Sequence, residues 1–241
     1  GKMHHKDQED LVNSFIDKFG LTDKKNNFPN SLSGGEKQRV SLARVLITNP
    51  KILLMDEPFS NLDSNLRKEI CDYTIDRLKK NKISVIFVTH DVEEALRISD
   101  KIIVLEKGKI AQIDSPENLY KYPKSKYVAK LLGSINQFEI DVNSEGELLT
   151  PFGKVNCSRC LKGFKNCKKK HFCIIRPEHL LVDQTGVRAK IINKFFLGAS
   201  WTYQVYVNSK LPLLTITNCK KNYMENDIIT FQMFLQNILL I

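Results

Sequence analysis

A short apolar run that stops at two carboxylates, Ile52-Leu53-Leu54-Met55-Asp56-Glu57-Pro58, restricts this chain more than any other stretch. Its length suits a strand, and its unbroken apolarity predicts a strand buried in a parallel sheet. An Asp at the end of such a strand can hold Mg²⁺, directly or through water. An adjacent Glu can orient and deprotonate a water molecule. Upstream lies Leu32-Ser33-Gly34-Gly35-Glu36-Lys37-Gln38-Arg39-Val40, a Ser-Gly-Gly turn opening an amphipathic run through Val40, Leu42, Ala43, Val45, Leu46 and Ile47. Glycines let a backbone approach phosphate closely, and a helix N-terminus offers free N–H groups and a positive dipole end. Alone, either piece is ordinary: a Ser-Gly-Gly turn is a helix cap, and Asp-Glu after a strand is a solvated strand end. Together they offer an anion contact, a Mg²⁺ ligand and a base for water.

The flanking pattern predicts an α/β core. Leu11, Phe15, Ile16 and Phe19 recur at helical spacing, with Gly20 as the C-cap. Residues 32–48 read as a helix broken by Asn49-Pro50, and Lys51 to Met55 as the strand. Ser64 to Lys80 reads as an amphipathic surface helix, and Ile83 to Val88 as a second buried strand ending at Thr89-His90. Asp91 to Ile98 is a short helix with acidic residues in its first turn. Lys101 to Glu106, the Lys107-Gly108 turn and Lys109 to Ile113 read as a hairpin. Strand, helix and strand in alternation imply mainly parallel pairing. Around Gly133-Ser134 the pattern changes to short β-rich runs from Phe138 to Phe234, which predict a small all-β barrel or sandwich. The expected division is therefore 1–133 and 134–241.

At these residues the chain resembles the ATP-binding subunit of ABC transporters. Leu32-Ser33-Gly34-Gly35-Glu36 is similar to the family's signature motif, and Ile52 to Asp56 to its Walker B strand. Glu57 falls at the place of the catalytic base. Ser60-Asn61-Leu62-Asp63 resembles the D-loop, and His90 the switch histidine. The resemblance implies a partial P-loop NTPase core followed by an OB/TOBE-like β-domain. Ile174-Ile175-Arg176-Pro177-Glu178 is similar to a segment of that accessory domain in importers of ferric iron, polyamines, sulfate or sugars. Phe196-Leu197-Gly198 before Trp201 is most like the ferric-iron and polyamine branch.

ATP hydrolysis needs a phosphate cradle, Mg²⁺ and an aligned water. The usual cradle, Gly-x-x-x-x-Gly-Lys-[Ser/Thr], does not occur in the sequence. Within the resemblance, that loop and the glutamine loop belong upstream of Leu32, so the chain reads as the C-terminal portion of an ATPase subunit. The same resemblance assigns the roles. Asp56 holds Mg²⁺ through water, Glu57 polarises the attacking water, and His90 contacts the γ-phosphate. Ser33, Gly34, Gly35 and Glu36 close over the ATP of the opposite subunit, and Asp63 crosses the dimer interface. The expected function is that of an importer's ATPase subunit, dimeric and bound to a membrane permease on the cytoplasmic side of the inner membrane, with ferric iron or polyamine as solute. A truncated subunit that only lends its signature motif, and a soluble ABC-type ATPase without a permease, are the alternatives. The accessory β-domain argues against the last.

A second constellation is Cys157, Cys160, Cys167, His171 and Cys173. Its opening C-x₂-C pair has the spacing of a Zn²⁺ site, and an iron–sulfur cluster also accepts cysteines. The bland reading is stray cysteines in a Lys-rich loop, since the resembled family requires no metal here. Net charge is +10, which argues for solubility and attraction to anions, yet no basic motif interleaved with aromatics points to nucleic acid. The start carries no signal peptide, so the thiols are expected in a reducing compartment.

Overall fold

The structure, a computed structural model, describes residues 4–142, 148–150, 152–155, 171–209, 211–218, 222–233 and 239–240. The chain divides into two compact units, residues 1–98 and 99–241.

In the first unit, α1 (His5–Lys18), α2 (Gly34–Ile47), α3 (Ser64–Lys80) and α4 (Val92–Ile98) accompany two strands, β1 (Ile52–Asp56) and β2 (Ser84–Val88). The strands pair in parallel, Ile52 opposite Ser84 through Asp56 opposite Val88. The helices supply one core with Leu53: Phe15 and Phe19 from α1, Leu42 and Leu46 from α2, Ile70 and Leu78 from α3. Phe15 and Phe19 stack, and the Tyr73 ring meets both edge-on. Each such fully buried side chain contributes about 1.5–3 kcal/mol.

The sequence predicts both strands as buried. The structure corrects this: β1 is buried on one face, at Leu53, and β2 is half-buried on one face, at Val85 and Phe87. Leu53 is 5% exposed, whereas Ile52, Leu54, Ile86 and Val88 are 67%, 71%, 66% and 60% exposed. The helical core covers the Leu53 face, and among the described residues β1 and β2 pair only with each other. An unbroken apolar run therefore has one face inside and one outside.

The second unit opens with the expected hairpin, β3 (Ile102–Glu106) and β4 (Lys109–Asp114). Its turn residues Lys107 and Gly108 both have positive φ, 51° and 75°, the geometry of a tight hairpin turn. Ser115 caps α5 (Pro116–Lys121) and Ser125 caps α6 (Lys126–Leu131). Two antiparallel sheets follow. One runs in the order β11 (Leu214–Asn218), β10 (Trp201–Tyr206), β9 (Leu180–Phe196), β12 (Ile228–Met233). The other runs β13 (Leu239–Leu240), β8 (His171–Ile175), β5 (Asn136–Val142), β6 (Leu148–Thr150), β7 (Gly153–Val155). Phe138, Ile140 and Ile175 from one sheet share a core with Ile191, Tyr203, Val205, Ile216 and Phe231 from the other.

Arg176, 2% exposed, fastens α5 and α6 to the strands of this unit. Its Nη1 donates to the carbonyls of Ala129, Gly133 and Ser134 at 2.8, 3.0 and 3.2 Å. Its guanidinium lies 4.1 Å from the centroid of the Tyr120 ring. Tyr120 in turn donates its hydroxyl to Glu178. Burial pushes the Arg176 pKa down and the Tyr120 pKa up to about 12.

Candidate nucleotide site

The Ser33 side chain caps α2. Its Oγ accepts from the Glu36 N–H at 3.3 Å, and the Glu36 carboxylate accepts from the Ser33 N–H at 2.8 Å. This reciprocal box explains why position 36 takes a carboxylate. The Ser33 N–H bond, with Lys24 3.5 Å away, holds the Glu36 carboxyl below its ordinary pKa. Because the Ser33 oxygen only accepts in this box, its O–H proton remains to donate to an anion in front of the helix.

Asp56 ends β1, exposed. Among the described residues no side chain pairs with its carboxylate. A single unpaired carboxylate suits Mg²⁺, which keeps several waters and takes one or two carboxylates plus substrate phosphates.

Glu57 turns the chain out of β1. Its φ is +45°, rare for a residue with a side chain. The turn is held at both ends. The Glu57 N–H donates to the Val88 carbonyl at 2.8 Å. The Glu57 carbonyl accepts from Gln38 Nε2 at 2.6 Å, Ser60 Oγ at 3.1 Å and the Ser60 N–H at 3.3 Å. This twist brings the carboxylate Oε1 to 2.6 Å from His90 Nδ1. The Glu57 hydrogen bond, then its charge, raises the His90 pKa. A carboxylate paired to an imidazole at the end of parallel strands can orient a water and share its proton.

The turn before α4 is equally determined. Thr89 Oγ1 donates to Glu94 at 3.2 Å and accepts from the Asp91 N–H at 3.0 Å. Glu94 is buried, which raises its pKa. Asp63 caps α3 by accepting from the Leu66 N–H at 3.0 Å. One helical turn on, Arg67 donates to the carbonyls of Ser60 and Leu62 and lies 3.6 Å from Asp91.

Among the sequence-derived candidates, the structure therefore brings Glu57 and His90 into direct contact, with Asp56 directly before Glu57 in the chain and opposite Val88 in the strand pair. Ser33, Gly34, Gly35 and Glu36 form the first turn of α2, and Asp63 the cap of α3. Gln38, Arg67 and Glu94 were not among the candidates. Gln38 had a legible signal: it lies three positions after Gly35, on the same helix face.

The cysteine constellation gives no site among the described residues, where no group of three His, Cys, Asp or Glu could hold a metal. Cys157, Cys160 and Cys167 lie outside those residues. Cys173 is sealed in the apolar core of the β-rich unit, and burial pushes its thiol up to about 12. Among the described residues no helix is long and apolar enough to cross a membrane.

Comparison with known proteins points the same way. Residues 2–60, which include Ser33 to Glu57, match the family model for ABC transporters. The chain is 36% identical over 207 residues to the spermidine/putrescine import ATP-binding protein of Ureaplasma parvum, an alignment covering 84% of this chain and 39% of that one. It is 34% identical over 212 residues to the Fe(3+) ions import ATP-binding protein of Fusobacterium nucleatum, covering 86% and 57%. It is 38% identical over 209 residues to the spermidine/putrescine import ATP-binding protein of Chromobacterium violaceum, covering 81% and 57%. The chain thus spans between 39% and 57% of the length of these relatives.

Proposed function

We propose, for a chain that belongs to the ABC transporter family, that it is a portion of an importer's ATP-binding subunit, carrying the signature motif and the residues after it. In this reading residues 1–133 belong to the ATPase and 134–241 form a TOBE-like accessory β-domain. The observation that carries the reading is the 2.6 Å contact of Glu57 with His90 at the paired ends of β1 and β2.

Asp56 would hold Mg²⁺ through water, and that ion supplies charge neutralisation between the phosphates. Glu57 accepts a hydrogen bond from the attacking water and takes up its proton. His90 holds the Glu57 carboxylate in place and offers its other ring nitrogen to a phosphate oxygen. Ser33, with the N–H groups of Gly34 and Gly35, donates to a phosphate held by a second ATPase subunit, and Asp63 lies at that subunit boundary. Glu36 acts through the Ser33 backbone, as the partner in its capping box. A membrane permease is the other partner, reached from the cytoplasmic side. The solute is a cation of the kind named for the relatives, ferric iron or a polyamine.

The test is ATP turnover by the native protein recovered from its own cells, with and without Glu57→Gln. Loss of a general base costs about 10²–10⁴-fold in rate. The expected result is retained ATP binding and turnover reduced by that amount. Unchanged turnover would overturn the assignment.

A further inference from the structure

The Gln38 side chain ties α2 to two backbone groups of one turn farther along the chain. It projects from the second turn of α2, half-buried. Its Nε2 donates to the Glu57 carbonyl at 2.6 Å, and its Oε1 accepts from the Asn61 N–H at 3.0 Å. Only one orientation of the amide satisfies both bonds, because a flipped amide would set oxygen against carbonyl and NH₂ against N–H. On the same face, Gly35 lies against the Asn61 carbonyl, where a Cβ on the glycine would come within 2.6 Å. The helix that begins at Ser33 is therefore locked to the Glu57–Asn61 turn by a side chain and by bare backbone.

Glu57 is where this lock has consequences. Its left-handed φ of +45° is sparsely populated by residues with a side chain and persists only where its surroundings impose it. The shortest bond to its carbonyl comes from Gln38. A peptide plane fixed at that carbonyl fixes where the carboxylate points, and so whether it reaches His90.

We propose that Gln38 is a positioning residue that couples the Ser33–Gly35 loop to the Glu57–His90 pair. Movement of α2, whose N-terminus faces a partner's nucleotide, is passed through Gln38 to the carboxylate that serves the chain's own site. Each of two facing ATP sites thereby senses closure at the other. The coupling rests on the reading of Glu57 as the base, but the contact that carries it can be observed without ATP.

The experiment is ¹⁵N and ¹³C NMR of the aromatic side chains at one fixed pH in the full chain, in wild type, Glu57→Gln, Gln38→Met and Gln38→Glu. Methionine keeps the length and loses both bonds. Glutamate keeps the acceptor for Asn61 and loses the donor to Glu57. Glu57→Gln supplies the His90 signals of the unpaired ring. The ring signals of Phe15, Phe19 and Tyr73, packed together in the first unit, report its fold, and the other four histidines serve as reference signals. The expected result is that both Gln38 variants move the His90 signals to their Glu57→Gln positions and leave those rings and the other four histidines in place. In the native protein, Gln38→Met is then expected to lower kcat by about 10²-fold, as misplacement of a catalytic group by ~1 Å does, with KM for ATP held. If Gln38→Met displaces the Phe15, Phe19 and Tyr73 signals as well, Gln38→Glu decides by the same criterion. His90 signals at wild-type positions in that decisive variant overturn the coupling while leaving the Glu57–His90 site intact. Wild-type signals that already coincide with those of Glu57→Gln overturn the site and the coupling together.

Discussion

Gly35 and Asn61 approach so closely that a Cβ on the glycine would stand 2.6 Å from the asparagine carbonyl oxygen. Backbone on one side and backbone on the other leave nothing flexible to give way. Gly34, the next residue back, has open space where its Cβ would go.

Gly35→Ala is therefore expected to destabilise the first unit by about 1–3 kcal/mol, the usual cost of overpacking. Gly34→Ala, in the first turn of α2 with nothing to strike, is expected to be neutral or stabilising by up to about 1 kcal/mol. Urea denaturation of the two variants checks the contrast.

His90 is expected to titrate above the ordinary histidine range near 6.5, because Glu57 favours its charged form. The folded value is raised, so the pair's contribution is fully present below the unfolded histidine pKa and disappears as pH rises through the folded one. An NMR titration of His90 should show the raised midpoint, and Glu57→Gln should return it to the ordinary range. A midpoint unaffected by that substitution would show that the 2.6 Å contact does not persist in solution.

Arg176→Met should cost the β-rich unit about 3 kcal/mol, because the carbonyls of Ala129, Gly133 and Ser134 lose their shared donor inside the protein. Thermal unfolding followed by near-ultraviolet circular dichroism, which reports on Tyr120 and Trp201, gives the readout. Stability within about 0.5 kcal/mol of the parent would place Arg176 among substitutions away from any such feature.

Asp63→Ala removes the α3 cap and is expected to cost about 1 kcal/mol, while Asp63→Asn retains the accepting oxygen and should cost little. Equal losses in the two variants, measured by chemical denaturation, would mean that the charge of Asp63 rather than its capping bond matters.

Much of this was legible from residue patterns. Ser64 to Lys80 is helical over the predicted range, because Asp63 caps one end and apolar residues recur at helical spacing between. The Lys107-Gly108 hairpin was announced by its turn chemistry. Glu57 and His90 could be proposed together only through a family resemblance, since no local pattern links two strand ends. The one-sided burial of β1 and β2 was not legible, because Leu53 and Leu54 are alike in chemistry and differ only in what packs on each. Gln38 carried one faint signal, its place three positions after Gly35 on the same face of α2. Its role depends on the +45° φ of Glu57, and a dihedral angle of that kind leaves no trace in a string containing no glycine there.

The bare face formed by Ile52, Leu54, Ile86 and Val88 bears on how this chain behaves in a tube. Among the described residues β1 and β2 pair only with each other, and an open strand edge beside aliphatic side chains is a template for joining copies of the same chain. Opposing that is a net charge of +10, whose repulsion reaches about 10 Å in 0.1 M salt and about 3 Å in 1 M salt. The chain should stay dispersed in dilute buffer and associate as salt is added, the reverse of a protein held together by ion pairs. Light scattering across a salt series would reveal it, and Leu54→Lys should move the onset to higher salt.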